Sequence, residues 1–112
     1  MKNKDLFECH EMIKISIPSI RYALARILYK NYNFSQKKIS DSLGITQAAV
    51  SKYLSHNCSK AIIETGNDKR FVKVAGILAK KISMGKISTD ELKSEIDKSA
   101  ILLLKQEKTG KI

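Results

Sequence analysis

Apolar residues recur with helical spacing along most of this 112-residue chain. Ile20, Ala23, Leu24, Ile27 and Leu28 fall at i, i+3, i+4, i+7 and i+8, the period of one buried helix face. Pro18 stands just ahead of them, where its missing N–H suits a first helical turn. The pattern predicts a helix from Pro18 to about Asn31–Asn33, and Leu6, Met12, Ile13 and Ile17 predict a short separate helix before it. Phe71, Val74, Ala75, Leu78 and Ile82 form a second strong stripe, ending near Gly85. Leu92, Ile96, Ser99 or Ala100, and Leu103 form a third, opened by Ser88 and Glu91 in the spacing of a capping box. Residues 105–112 read as a frayed end.

Between the first two stripes the elements are shorter. Ser35 is a good N-cap for a helix with Ile39 and Leu43 inward, and Gly44 breaks that helix. Thr46 caps the next, which runs through Leu54 with Val50, Tyr53 and Leu54 inward. Residues 59–70 read as a polar loop around the turn signal Gly66-Asn67-Asp68. A small β-hairpin over residues 61–74 is a weaker reading, supported only by Ile62, Ile63, Phe71 and Val72. The expected fold is all-α, with about five helices in one compact domain. Residues 1–58 form a helix-turn-helix region, and residues 71–112 form C-terminal helices suited to dimerisation.

The stretch Gln36–Leu54, QKKISDSLGITQAAVSKYL, carries the functional information. A helix-turn-helix needs a small residue where its helices cross, a glycine at positive φ in the turn, and apolar residues at fixed offsets. Ser40, Gly44, and Ile39, Leu43, Ile45, Val50 and Tyr53 fill those places. An ordinary helical hairpin with a glycine turn is the plainer reading of the same spacing. In the DNA-binding reading the second helix enters the major groove with its N-terminal residues at base edges. Thr46, Gln47, Ala48, Ser51 and Lys52 then face bases, once the inward positions are removed. Gln47 suits adenine N6 and N7, and Ala48 or the Thr46 methyl suits a thymine methyl. Ser35, Gln36, Lys37 and Lys38 open the preceding helix, where backbone N–H groups and lysines suit a phosphate.

From about Cys9 to His56 the chain resembles the N-terminal domain of archaeal helix-turn-helix transcriptional regulators. The matching residues are Ile17-Pro18-Ser19-Ile20-Arg21 and the longer run from Leu43 to Ser55, LGITQAAVSKYLS. The resemblance covers under half the chain. It implies sequence-specific DNA binding, a helical fold with further chain after the motif, and dimerisation. Some relatives carry a downstream Cys-x-x-Cys; this chain has no cysteine after Cys58.

Charge supports a polyanionic partner. Net charge is +10, from 21 Lys and Arg against 11 Asp and Glu, and each half, 1–59 and 60–112, contributes +5. The excess therefore belongs to the folded body rather than to a tail, and attracts nucleic acid first and anionic membrane second. The longest apolar run, Ala100–Leu104, is far short of the ~18 residues a membrane span needs. With no secretory segment, the chain reads as cytoplasmic, with no membrane partner. Two cysteines make no disulfide framework, and Cys9 and Cys58 read as reduced, small apolar residues. Their neighbours His10 and His56 make a Cys–His metal site conceivable, but no cofactor or metal is expected. No nucleophile triad, carboxylate pair or phosphate loop points to an enzyme.

The expected partners are double-stranded DNA and a second copy of the chain. Ile101, Leu102 and Leu104 spread around the last helix beyond its seam, so Leu92, Ile96, Leu102 and Leu103 are the expected dimer contacts. Two other readings fit the same residues. One is a protein-interaction module, antitoxin-like or adaptor, with the motif as scaffold. The other is a redox- or metal-sensing regulator.

Overall fold

The computed structural model describes the backbone of residues 2–110 and the side chains of residues 14–104. Among these, six helices follow in chain order: α1 Lys2–Asn31, α2 Gln36–Leu43, α3 Gln47–Leu54, α4 Lys60–Gly66, α5 Lys69–Ser83 and α6 Thr89–Gly110. The all-α fold expected from periodicity is what is found. Among the described residues no helix is long and apolar enough to cross a membrane.

Helix α1 is the centre of the molecule. Ile20, Tyr22, Ala23, Leu24, Ala25 and Leu28 are all buried. Four of them are consecutive, and successive helical residues point about 100° apart, so α1 is covered nearly all round at this level. Each of α2 to α6 packs against it. The region before residue 58 and the region after 71 thus share one core, built on α1 from Ile39, Leu43 and Val50 on one side and Phe71, Ala75, Leu78, Leu92 and Ile96 on the other.

Pro18 does not start a helix; it lies inside α1, so the two predicted N-terminal helices are one. An internal proline costs about 3 kcal/mol through its lost hydrogen bond and ring clash. Flanking burial holds the helix through it: Ser16 and Ser19 are buried, and Ser19 Oγ donates to the Ile15 carbonyl at 2.6 Å. The predicted N-terminal apolar face at Leu6, Met12 and Ile13, with Cys9 and His10, lies outside the residues whose side chains are described.

Residues 59–70 are mostly helix, neither loop nor hairpin. Ser59 Oγ accepts the Ile62 N–H at 3.3 Å and caps α4. Gly66 closes α4 without a turn conformation; it is there for space. A Cβ on it would lie 2.6 Å from Tyr22 Cδ2 and 2.9 Å from the Ser19 carbonyl oxygen of α1. Asp68 then caps α5 by accepting the Arg70 N–H at 2.9 Å.

The capping box at the head of α6 forms as predicted. Ser88 N–H donates to Glu91 Oε1 at 2.9 Å, and Glu91 N–H donates to Ser88 Oγ at 3.1 Å. The seam of α6 does not behave as expected for a dimer contact. Leu92, Ile96 and Leu103 are buried within the chain itself, because α6 lies along α1 and spends its apolar face there. Of the four expected interface residues only Leu102 is exposed, at 55%, beside Ile101 at 45%. Helix α6 also continues to Gly110, past the expected frayed end.

Candidate nucleic-acid interface

The motif is built by two caps and one left-handed residue. Ser35 accepts the Lys38 N–H at 3.1 Å and starts α2; Thr46 accepts the Ala49 N–H at 3.1 Å and starts α3. Between them Gly44 has φ 68°, and the Ile45 N–H reaches back to the Ser40 carbonyl at 3.1 Å. That six-to-one closure needs a residue that tolerates left-handed backbone, which is glycine's role here. Ser40 is buried, with its hydroxyl donating to the Lys37 carbonyl at 2.8 Å, so the small residue at the crossing leaves no unpaired polar atom. Ile39, Leu43 and Val50 are buried, and Ile45, Tyr53 and Leu54 pack against the same core.

With those positions turned inward, Thr46, Gln47, Ala48, Ser51 and Lys52 are all exposed, and Ala49 is half-buried. The opening residues of α2, Ser35, Gln36, Lys37 and Lys38, are exposed as well. The sequence-predicted contacts therefore lie on the open faces of two helices that pack on each other. Both cap hydroxyls accept from backbone, yet each keeps its own proton to donate outward. Lys37 pairs with Asp41 at 3.2 Å across one turn of exposed helix. Such a pair is worth only about 0.3–0.5 kcal/mol, so it leaves the lysine available to a stronger anion. Lys38 lies 4.2 Å from the centre of the Phe34 ring, which holds its stem near the start of α2.

The far end of α3 is tied to α1 by residues that sequence reasoning missed. His56 sits at φ 60°, with its N–H on the Tyr53 carbonyl at 3.3 Å and the Asn57 N–H on the Lys52 carbonyl at 2.8 Å. This is the paired closure that usually employs glycine. The histidine side chain accounts for the exception. Its Nε2 is 2.8 Å from Arg26 and its Nδ1 is 2.9 Å from the hydroxyl of fully buried Tyr22. Arginine only donates, so Nε2 accepts; Nδ1 then carries the proton and donates to Tyr22. Tyr22 also meets Tyr53 edge-on, with ring centres 6.4 Å apart. Burial pushes the Tyr53 phenol above its ordinary value, against the nearby Arg21 guanidinium, which pulls it down. The only signal available in the sequence was a histidine where a helix-ending glycine belongs.

The turn itself is braced from far along the chain. The Thr89 hydroxyl lies 3.4 Å from the carbonyls of both Asp41 and Ser42, the last turn of α2. Lys93, one turn further along α6, extends its stem over Gly44.

Cys58 is not arranged for metal chemistry among the described residues, and Cys9 lies outside the described side chains. No group of three or more His, Cys, Asp or Glu side chains there is placed to hold a metal ion. His56 commits both ring nitrogens to Arg26 and Tyr22, and burial pushes the Cys58 thiol up, away from the reactive thiolate. No protein-family model, no curated protein and no solved structure matches this chain.

Proposed function

We propose that this chain binds double-stranded DNA in the major groove through α3 and acts as a transcription regulator. The observation that carries the reading is the combination at α2–turn–α3. A left-handed Gly44 and a buried Ile39, Leu43 and Val50 fix two short helices, leaving Thr46, Gln47, Ala48, Ser51 and Lys52 as the open face of the second. In this arrangement Gln47 and its neighbours read base edges, and Ser35, Gln36, Lys37 and Lys38 hold a phosphate. The +10 net charge favours the same ligand. A chromosomal ligand makes the cytoplasm the place of action.

Two-fold pairing belongs to this proposal, since one motif contacts few base pairs and a dimer sets two recognition helices about 34 Å apart. With Leu92, Ile96 and Leu103 spent on the intrachain core, Ile101 and Leu102 are the apolar residues left on α6 for a second copy. Selection of bound duplexes from a random pool tests the reading, with sedimentation equilibrium alongside. A preferred sequence with two related half-sites, affinity falling steeply with salt, and a mass of two chains are expected. Duplex binding without preference, or none, overturns it. A mass of one chain overturns the dimer.

A further inference from the structure

Lys93, on α6 and outside the motif, stands against the turn between its two helices. A Cβ on Gly44 would stand 3.2 Å from Lys93 Cε and 3.5 Å from its Nζ, so the ammonium lies directly over the turn. Lys93 is exposed. Asp90 and Asp97 stand three residues before and four after it, the helical spacing at which lysine pairs with carboxylate. Neither pairs with it: among the described residues the Lys93 side chain makes no hydrogen bond or ion pair. The side chain instead extends across Gly44, into the space that any larger residue at 44 would fill.

Distance decides what that ammonium can meet. Gly44 is three residues before Gln47, so the two lie within about 11 Å even in fully extended chain. The major groove is about 12 Å wide, so a duplex whose base edges meet Gln47 has its phosphate backbone within a comparable distance of that turn. A compact, strongly hydrated ammonium on a flexible stem suits a phosphate as a point charge. We propose that Lys93 is a DNA-facing residue of the same interface, contacting a backbone phosphate beside the N-terminus of α3. This rests on the DNA-binding reading above. It gives the last helix a share in the interface and gives Gly44 a second purpose, since its bare Cα is the channel through which Lys93 reaches out.

The test is the salt dependence of binding to a selected duplex and to a random-sequence duplex. Lys93→Met keeps the apolar stem over Gly44 and removes the charge. It is expected to weaken both duplexes by the same factor, to lower the slope of log affinity against log salt by about one, and to leave base preference and melting temperature unchanged. Lys93→Arg is expected to restore the slope. Lys98→Met removes the same charge from the same helix, in the groove with Lys81 and Lys86, and is expected to leave the slope alone. A wild-type slope in Lys93→Met overturns the inference while the DNA-binding reading stands. So does an equal fall in Lys98→Met, which marks a long-range charge effect, and so does a lowered melting temperature at constant slope, which marks a brace for α2. A wild-type chain that binds neither duplex overturns both.

Discussion

Two glycines, ten residues apart, are expected to respond to the same substitution with opposite signs. Both lie in helices, where alanine is favoured over glycine by about 1 kcal/mol. Gly76 has nothing within 4 Å of the position a Cβ would take, so Gly76→Ala should realise that gain. At Gly66 the same methyl would be 2.6 Å from the Tyr22 ring and 2.9 Å from the Ser19 carbonyl. Neither can yield easily. The carbonyl is backbone of the central helix, and the ring is fully buried, hydrogen-bonded to His56 and packed edge-on against Tyr53. Overpacking of this kind costs about 1–3 kcal/mol, which outweighs the propensity gain and leaves Gly66→Ala destabilised by up to about 2 kcal/mol. Urea unfolding followed by circular dichroism reads both variants. With slopes of about 1–3 kcal/mol per molar, the midpoints should move apart, Gly76→Ala up by roughly 0.3–1 M and Gly66→Ala down by up to about 2 M. A Gly66→Ala midpoint at or above wild type would refute the close approach of α4 to Tyr22.

Three further outcomes are expected. Gln47→Ala should lose about 1–3 kcal/mol of specific binding, concentrated at one base pair per half-site, whereas Lys37→Ala and Lys38→Ala should weaken all sequences alike; affinity profiles over single-base variants separate the two. Gly44→Val should lower the melting temperature as well as DNA affinity, because φ 68° strains a β-branched residue by about 1–3 kcal/mol and its Cβ would meet Thr89 Cγ2 at 2.7 Å; lost binding at unchanged melting temperature contradicts this. Hydrogen bonds from the Arg70 side chain, then its backbone N–H, hold the Asp68 carboxyl below its ordinary value. A depressed folded value means the stabilisation is present above the unfolded carboxylate range and is lost as pH falls through the folded one. Asp68→Asn keeps a capping oxygen but cannot ionise, so the melting-temperature gap between it and wild type should close as the solution is acidified; a gap constant from neutral to strongly acid pH refutes the assignment.

Where a residue's role is set by its near neighbours in sequence, the sequence announced it. Ser35, Thr46 and the Ser88–Glu91 pair act within three residues, and each forms the cap its spacing implies. Gly44 and the inward Ile39, Leu43 and Val50 follow from helical period in the same way. The errors came from tertiary context. Pro18 looks like a helix start until the buried Ser16 and Ser19 hold the helix through it, and Gly66 looks like a turn until Tyr22 arrives. The apolar seam of α6 was visible, but which surface it covers depends on where α1 lies. The Tyr22–His56–Arg26 cluster joins residues 30 and more positions apart, and no local pattern marks it.

The brace from Thr89 to the end of α2 has a consequence for the order in which the molecule is made. Its two carbonyl partners precede it by 47 and 48 residues. At a synthesis rate of about 5–20 residues per second, both helices of the motif exist for roughly 2–7 s before the residue that closes over their turn has been added. Leu92 and Ile96, which complete the core around α1, come later still. A chain interrupted between residue 54 and α6 therefore carries the whole of Gln36–Leu54 yet lacks the setting that holds it. A fragment cut at residue 58 is expected to hold the motif less firmly than the full chain does, which circular dichroism of the two would show.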